Sequence, residues 1–130
     1  MSHPEIERLA TGKYLSLTTF KKDGSAVSTP VWVARDGDEL VVITDATSGK
    51  AKRIRNNTAV SLAPCDIRGR ITGTSVDGIA RLTDSTGTKA VASQVRRKYG
   101  LAFSAIGWME KLRRRSSDSV GIRIQIPATP

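Results

Sequence analysis

The chain has 130 residues and a mass of 14.0 kDa, with 38% hydrophobic and 25% charged residues. That is the length of one domain, residues 1–130, with enough apolar material for one core. Lys and Arg number 21 against 12 Asp and Glu, giving a net charge of +9 and a pI near 10.3, so phosphates, acidic tails and polyanions are the partners to weigh. With Cys65 the single cysteine and His3 the single histidine, an internal disulfide, a Cys/His zinc site and a Ser/His or Cys/His catalytic pair are excluded.

No apolar run approaches the roughly 20 residues of a membrane span. Met1 to Ala10 carries Glu5, Glu7 and Arg8 and lacks the apolar stretch of a signal peptide. A soluble, cytoplasmic protein with a reduced thiol is expected. The positive charge is uneven: residues 1–44 net −1, whereas residues 89–115 net +7.

Pro4 to Leu9 reads as a short opening helix, with Pro4 in its first turn and Ile6 and Leu9 one turn apart. Tyr14 to Phe20 alternates as a strand, Leu15 and Leu17 facing one way, Ser16 and Thr18 the other. Lys21-Lys22-Asp23-Gly24 is a hairpin turn signal. The next strand runs from Ala26 to Ala34, and its Pro30 implies an edge, a bulge or a close ligand approach. Asp36-Gly37-Asp38 then turns the chain into the strand Leu40 to Thr44.

From Ser48 to Asn57 the period becomes helical, with Ala51 and Ile54 three apart and Thr47 or Ser48 as cap. Val60 to Pro64 and Ile79 to Leu82 read as strands, and Thr86 to Tyr99 as a longer helix stopped by Gly100. Ser104 to Arg114 forms a further helical pattern with Ile106, Trp108, Met109 and Leu112 on one face. Val120, Ile122, Ile124 and Ile126 alternate as a last strand. These elements predict a mainly β fold, a small barrel with peripheral helices. Dinucleotide and Walker-type glycine motifs are absent.

Three segments carry candidate chemistry. The helix start Thr47-Ser48-Gly49-Lys50 follows a strand, so its free amides, hydroxyls and Lys50 suit an anion; an ordinary capped helix with a solvated basic face has the same spacing. Ser28-Thr29-Pro30-Val31-Trp32 interrupts a ladder beside hydroxyls, which suits either a polar ring edge or an edge strand with a core tryptophan. Arg96-Arg97-Lys98, Lys111 and Arg113-Arg114-Arg115 form a basic stretch, a solvated face by default. With six aromatic residues and no stacking array, a nucleic-acid surface is disfavoured. Cys65 reads as a buried structural thiol.

Together, Val41-Val42-Ile43-Thr44, Ser48-Gly49-Lys50-Ala51, Arg55-Asn56-Asn57 and Ala59-Val60-Ser61-Leu62 resemble the pyridoxamine 5′-phosphate oxidase-like split β-barrel superfamily. The likeness is closest to its actinobacterial branch of deazaflavin (coenzyme F420)-dependent oxidoreductases. Ser28 to Trp32, Pro64 to Gly69 and Gly78 to Leu82 extend it along nearly the whole chain. The resemblance implies a six-stranded split barrel, a homodimer, and a cofactor in a groove at the dimer interface. It assigns Ser28, Thr29, Pro30, Val31 and Trp32 to the ring, and Thr44, Ser48 and Lys50 to the phosphate. Flavin-binding members often carry an arginine just before the phosphate lysine; this chain has Gly49, which turns the reading from FMN toward a longer phosphodiester tail. Arg53, Arg55 and the basic carboxy-terminal region are then candidates for an acidic tail. The activity implied is hydride transfer between the reduced deazaflavin and a small organic acceptor. An FMN enzyme of the same fold and a non-catalytic deazaflavin carrier are the alternatives.

Overall fold

The computed structural model describes residues 4–105 and 119–127. Its elements in chain order are α1 (Pro4–Thr11), β1 (Tyr14–Phe20), β2 (Ala26–Trp32), β3 (Ala34–Asp36), β4 (Glu39–Asp45), α2 (Gly49–Asn56), β5 (Ala59–Cys65), β6 (Val76–Leu82), α3 (Ser85–Ala105) and β7 (Ser119–Gln125). The strands form one antiparallel sheet in the order β2-β1-β5-β6-β7-β4-β3. Its two outermost strands, β2 and β3, are separated in the chain by Val33 alone. One stretch of chain therefore begins on one edge of the sheet and ends on the other, which obliges the sheet to curl into a split barrel.

This crossing corrects the strand count, seven where six are expected. The expected strand Ala26–Ala34 is divided at Val33, because residues up to Trp32 pair with β1 and those from Ala34 pair with β4. Alternation runs through the break, Val31 and Val33 meeting the barrel core, Trp32 and Ala34 the opposite cluster. Pro30 does sit on an edge strand, opposite Ser16 of β1.

Two apolar clusters hold the molecule. The barrel interior gathers Leu15, Leu17, Leu40, Val42, Leu62, Ile122 and Ile124 with Ile6 and Leu9 of α1 and Ile54 of α2. On the other face of β4, Val41 and Ile43 pack with Val91, Val95 and Tyr99 of α3. The run Leu-Val-Val-Ile is thus buried on both faces, as a continuous apolar strand requires. Helix α3 approaches β7 where Gly121 leaves room: a Cβ there would lie 2.8 Å from both Thr83 Oγ1 and Val91 Cγ2. Gly100, the expected stop of α3, breaks it with φ +53° and ψ −125°, and helical backbone continues to Ala105. The expected helix Ser104–Arg114, with Trp108 and Met109, falls almost wholly outside the described residues, as do Lys111 and Arg113 to Arg115.

Candidate functional site

Thr44, the last residue but one of β4, is buried, and beyond Asp45 the chain turns into α2. Asp45 Oδ1 accepts from Thr47 N at 2.9 Å and Thr47 Oγ1 at 2.7 Å, shaping that turn. Ser48 is the cap: its Oγ accepts from Ala51 N at 3.2 Å while its carbonyl receives Lys52 N at 3.1 Å. The amides of Gly49 and Lys50 have no acceptor among the described residues, so the first turn presents two free donors at its positive end.

Lys50 and Arg53 stand one turn apart on this helix, a spacing that puts both on one face. Arg53 folds back over the helix start: a Cβ on Gly49 would lie 2.6 Å from its Nη1 and 3.3 Å from its Cζ. Its Nε donates to Thr19 Oγ1 of β1 at 2.5 Å, which fixes the guanidinium. Burial first, and then the charge of Arg53, pull the Lys50 pKa below its usual value. The first turn of α2 holds no acidic residue, and no carboxylate among the described residues pairs with Lys50 or Arg53. Two mutually repelling, partly desolvated cations beside free amides are complementary to a phosphate. Arg55, two positions from Arg53, points from the opposite, exposed side of the helix.

The β2 residues divide by the strand period. Ser28 and Pro30 are exposed on the outer face, while Thr29 and Val31 turn inward. Ser28 Oγ lies 2.6 Å from Thr18 Oγ1, and both line a groove of about 280 Å³ with Ser16, Ser61, Ala63 and Ile71. Charged side chains are missing from this lining, whose polar groups are hydroxyls. Thr29 Oγ1 is buried without a hydrogen-bond partner, alone in this among the side chains described. An orphan of that kind costs about 1–3 kcal/mol, and it sits on the inward side of β2, outside the groove that Ser28 lines. Trp32 is not in the groove. It stacks on Tyr99 of α3, with centroids 4.3 Å apart and planes 14° from parallel.

The hydroxyl groove and the cation pair lie on opposite faces of β1, where Thr18 lines the first and its inward-facing neighbour Thr19 binds the second. Thr19 is fully buried and belongs to none of the three segments that the sequence singles out. Its signal was a hydroxyl at an inward position among Leu15 and Leu17. The stretch Arg96 to Lys98 is not a plain solvated face either, since Lys98 Nζ donates to the carbonyls of Ala10, Gly12 and Val33 at 2.6, 2.6 and 2.7 Å. Among the described residues, no group of His, Cys, Asp and Glu converges to hold a metal, and no helix is long and apolar enough to cross a membrane.

Several solved structures share this fold. The conserved hypothetical protein Rv2991 from Mycobacterium tuberculosis is 24% identical, with a TM-score of 0.72 over 98% of this chain and 82% of that one. A FAD-binding protein from Mesorhizobium loti is 20% identical, TM-score 0.66, over 98% of this chain and 91% of its own. An F420 reductase is 21% identical, TM-score 0.64, over 94% and 93% respectively. No curated protein matches the chain. Over residues 3–128 it matches the family model described as pyridoxamine 5′-phosphate oxidase, and it therefore belongs to that family.

Proposed function

We propose that the chain is an oxidoreductase of the deazaflavin branch, binding coenzyme F420 and serving hydride transfer between its reduced form and a small organic acceptor. The observation that carries this reading is the Lys50–Arg53 pair, set without a carboxylate beside the free amides of Gly49 and Lys50. Lys50, Arg53 and the Ser48-capped helix start hold the phosphate; Arg55 on the opposite side reaches only a tail that wraps the helix. Thr44 shapes the pocket from beneath. Ser28 and Pro30 on the outer face of β2 meet the ring, while Thr29, called for the ring by the resemblance, turns inward and acts from the other side of the strand. Val31 and Trp32 act through the strand, anchoring it in the core and against Tyr99.

When bound, the deazaflavin supplies two-electron hydride chemistry, and the protein's part is to bind, orient and exclude water. The hydroxyl groove suits the neutral polar edge of a ring. Ile71, 54% exposed at the groove, and Ile67, 67% exposed in the same loop, are apolar surface for a second copy to cover. The active form in this reading is a cytoplasmic homodimer with the cofactor between its subunits.

FMN is the second reading, and Arg53 favours it. Flavin-binding members of the family that the sequence resembles often carry an arginine where this chain has Gly49, and the Arg53 guanidinium fills the space above Gly49. Parallel titration with F420 and FMN, at low and moderate salt, separates the two. Saturation by F420 that tolerates salt, weakens in Lys50→Met and exceeds FMN supports the deazaflavin reading. FMN preference transfers the protein to the flavin readers, and binding of neither refutes both. Tight binding without acceptor-dependent reoxidation leaves a carrier.

A further inference from the structure

Between α1 and α3 runs a separate groove of about 520 Å³, within the usual range for small-molecule sites. Thr11, Arg35, Gln94, Arg97 and Lys98 line it together with Glu7, three cations against one carboxylate. None of these residues belongs to the cation pair on α2 or to the hydroxyl groove.

Their hydrogen bonds determine which groups remain for a ligand. The Lys98 ammonium is engaged by the carbonyls of Ala10, Gly12 and Val33, and two of those close the C-terminal end of α1. It thereby cancels the negative pole that α1 would otherwise direct at the groove. Thr11 Oγ1 donates to the Glu7 carbonyl at 2.7 Å. Arg35 Nε donates to Gly37 O at 2.8 Å, and its Nη1 stands 3.7 Å from Glu7 in a half-exposed pair that holds it weakly. Arg97 and Gln94 have no partner among the described residues. The groove thus offers one uncommitted guanidinium, a second with spare N–H groups, and one uncommitted amide over a neutralised floor.

We propose that this groove binds a small organic oxyanion, its carboxylate or phosphate held between Arg97 and Arg35 and its hydrogen-bonding body set against Gln94. The groove shares no residue with the phosphate and ring sites of the cofactor reading, and only Arg97 and Lys98 belong to the basic region that the resemblance offers to an acidic tail.

The test is an amide-resolved NMR titration of the full chain with succinate and, separately, with inorganic phosphate, ionic strength held constant with sodium chloride. Running it in wild type and in Lys50→Met separates this groove from the α2 pocket. Saturable shifts at Thr11, Arg35, Gln94 and Arg97 are expected in both proteins. Arg97→Gln, at an exposed position, should weaken them about tenfold, the worth of one charge-assisted hydrogen bond. Gln94→Leu should weaken them by a smaller factor. Saturation by succinate alone assigns a carboxylate ligand, and by phosphate alone a phosphate ester; either supports the site. Shifts that stay linear, that sodium chloride reproduces, or that persist unchanged in Arg97→Gln overturn it.

Discussion

Replacing Lys50 with Met should make the free protein more stable and the cofactor complex weaker. Met keeps the length of the aliphatic stem and matches lysine in helix propensity, so the charge is what changes. Lys50 sits in the first turn of a helix with no acidic residue there, where a cation opposes the dipole by roughly 0.3–1 kcal/mol. Its like-charge neighbour Arg53, three positions on, adds about 0.2–0.5 kcal/mol of repulsion. Neutralising Lys50 should therefore raise stability by about 0.5–1.5 kcal/mol. The same change removes one charge-assisted bond to the phosphate, about 1.5–3 kcal/mol, or roughly 10- to 150-fold in Kd. Urea melts of the free protein read the first effect, and fluorescence titration with F420 and FMN reads the second. A variant that loses stability while keeping its affinity would make Lys50 a structural residue and refute the phosphate reading.

Tyr99→Phe keeps the stack on Trp32 but leaves the fully buried Val33 N–H without its 3.0 Å acceptor, so urea melts should show a loss of about 1–3 kcal/mol. Burial pushes the Tyr99 pKa up from 10.0 to about 12, so the unfolded chain ionises first and wild-type stability falls from pH 10 to about 12; pH-dependent melts should show that slope disappear in Tyr99→Phe. Burial raises the Glu39 carboxyl, but its bonds to Arg81 at 2.6 Å and Arg123 at 3.2 Å outweigh that and lower it below 4.5. Stability from Glu39 is present above pH 4.5 and lost as pH falls through the folded value, and Glu39→Gln should flatten that acid limb in melts between pH 3 and pH 6. Gly121→Ala places a Cβ 2.8 Å from Thr83 Oγ1 and Val91 Cγ2 and should cost roughly 1–3 kcal/mol in the same assay.

Local chemistry made much of the fold legible. The Asp23-Gly24 turn forms as its residues dictate, with Gly24 at φ +90° and Asp23 Oδ1 accepting from Ser25 N at 2.9 Å. Ser48 caps α2, and the alternation of Val120, Ile122 and Ile124 is that of a strand facing the barrel core. Features set by distant partners were not legible. Nothing in Val31-Trp32-Val33-Ala34 signals a change of partner, because the side-chain alternation continues while the hydrogen-bonding neighbour passes from β1 to β4. β6 begins at Val76 and not Ile79, since pairing with Leu62 and Ser61 of β5 holds Val76 and Asp77 extended against the weak strand propensity of Asp and Gly.

The two halves of the candidate site differ in legibility for the same reason. Ser48, Gly49, Lys50 and Arg53 lie within six consecutive residues, and helical geometry alone puts their donors on one side. The ring half is assembled from β1, β2 and β5, so Ser16, Thr18, Ser28 and Ser61 become neighbours only through strand register. Trp32 shows how far the period of a strand can mislead. It shares the outward face of Ser28 and Pro30, yet α3 covers that face from Trp32 onward and Tyr99 takes the indole. Thr19 links the halves. A threonine at an inward position needs a partner, and the fold supplies Arg53 from a helix thirty-four residues away, which sets the cation pair on the inward face of the strand whose preceding residue, Thr18, lines the groove on the outer face.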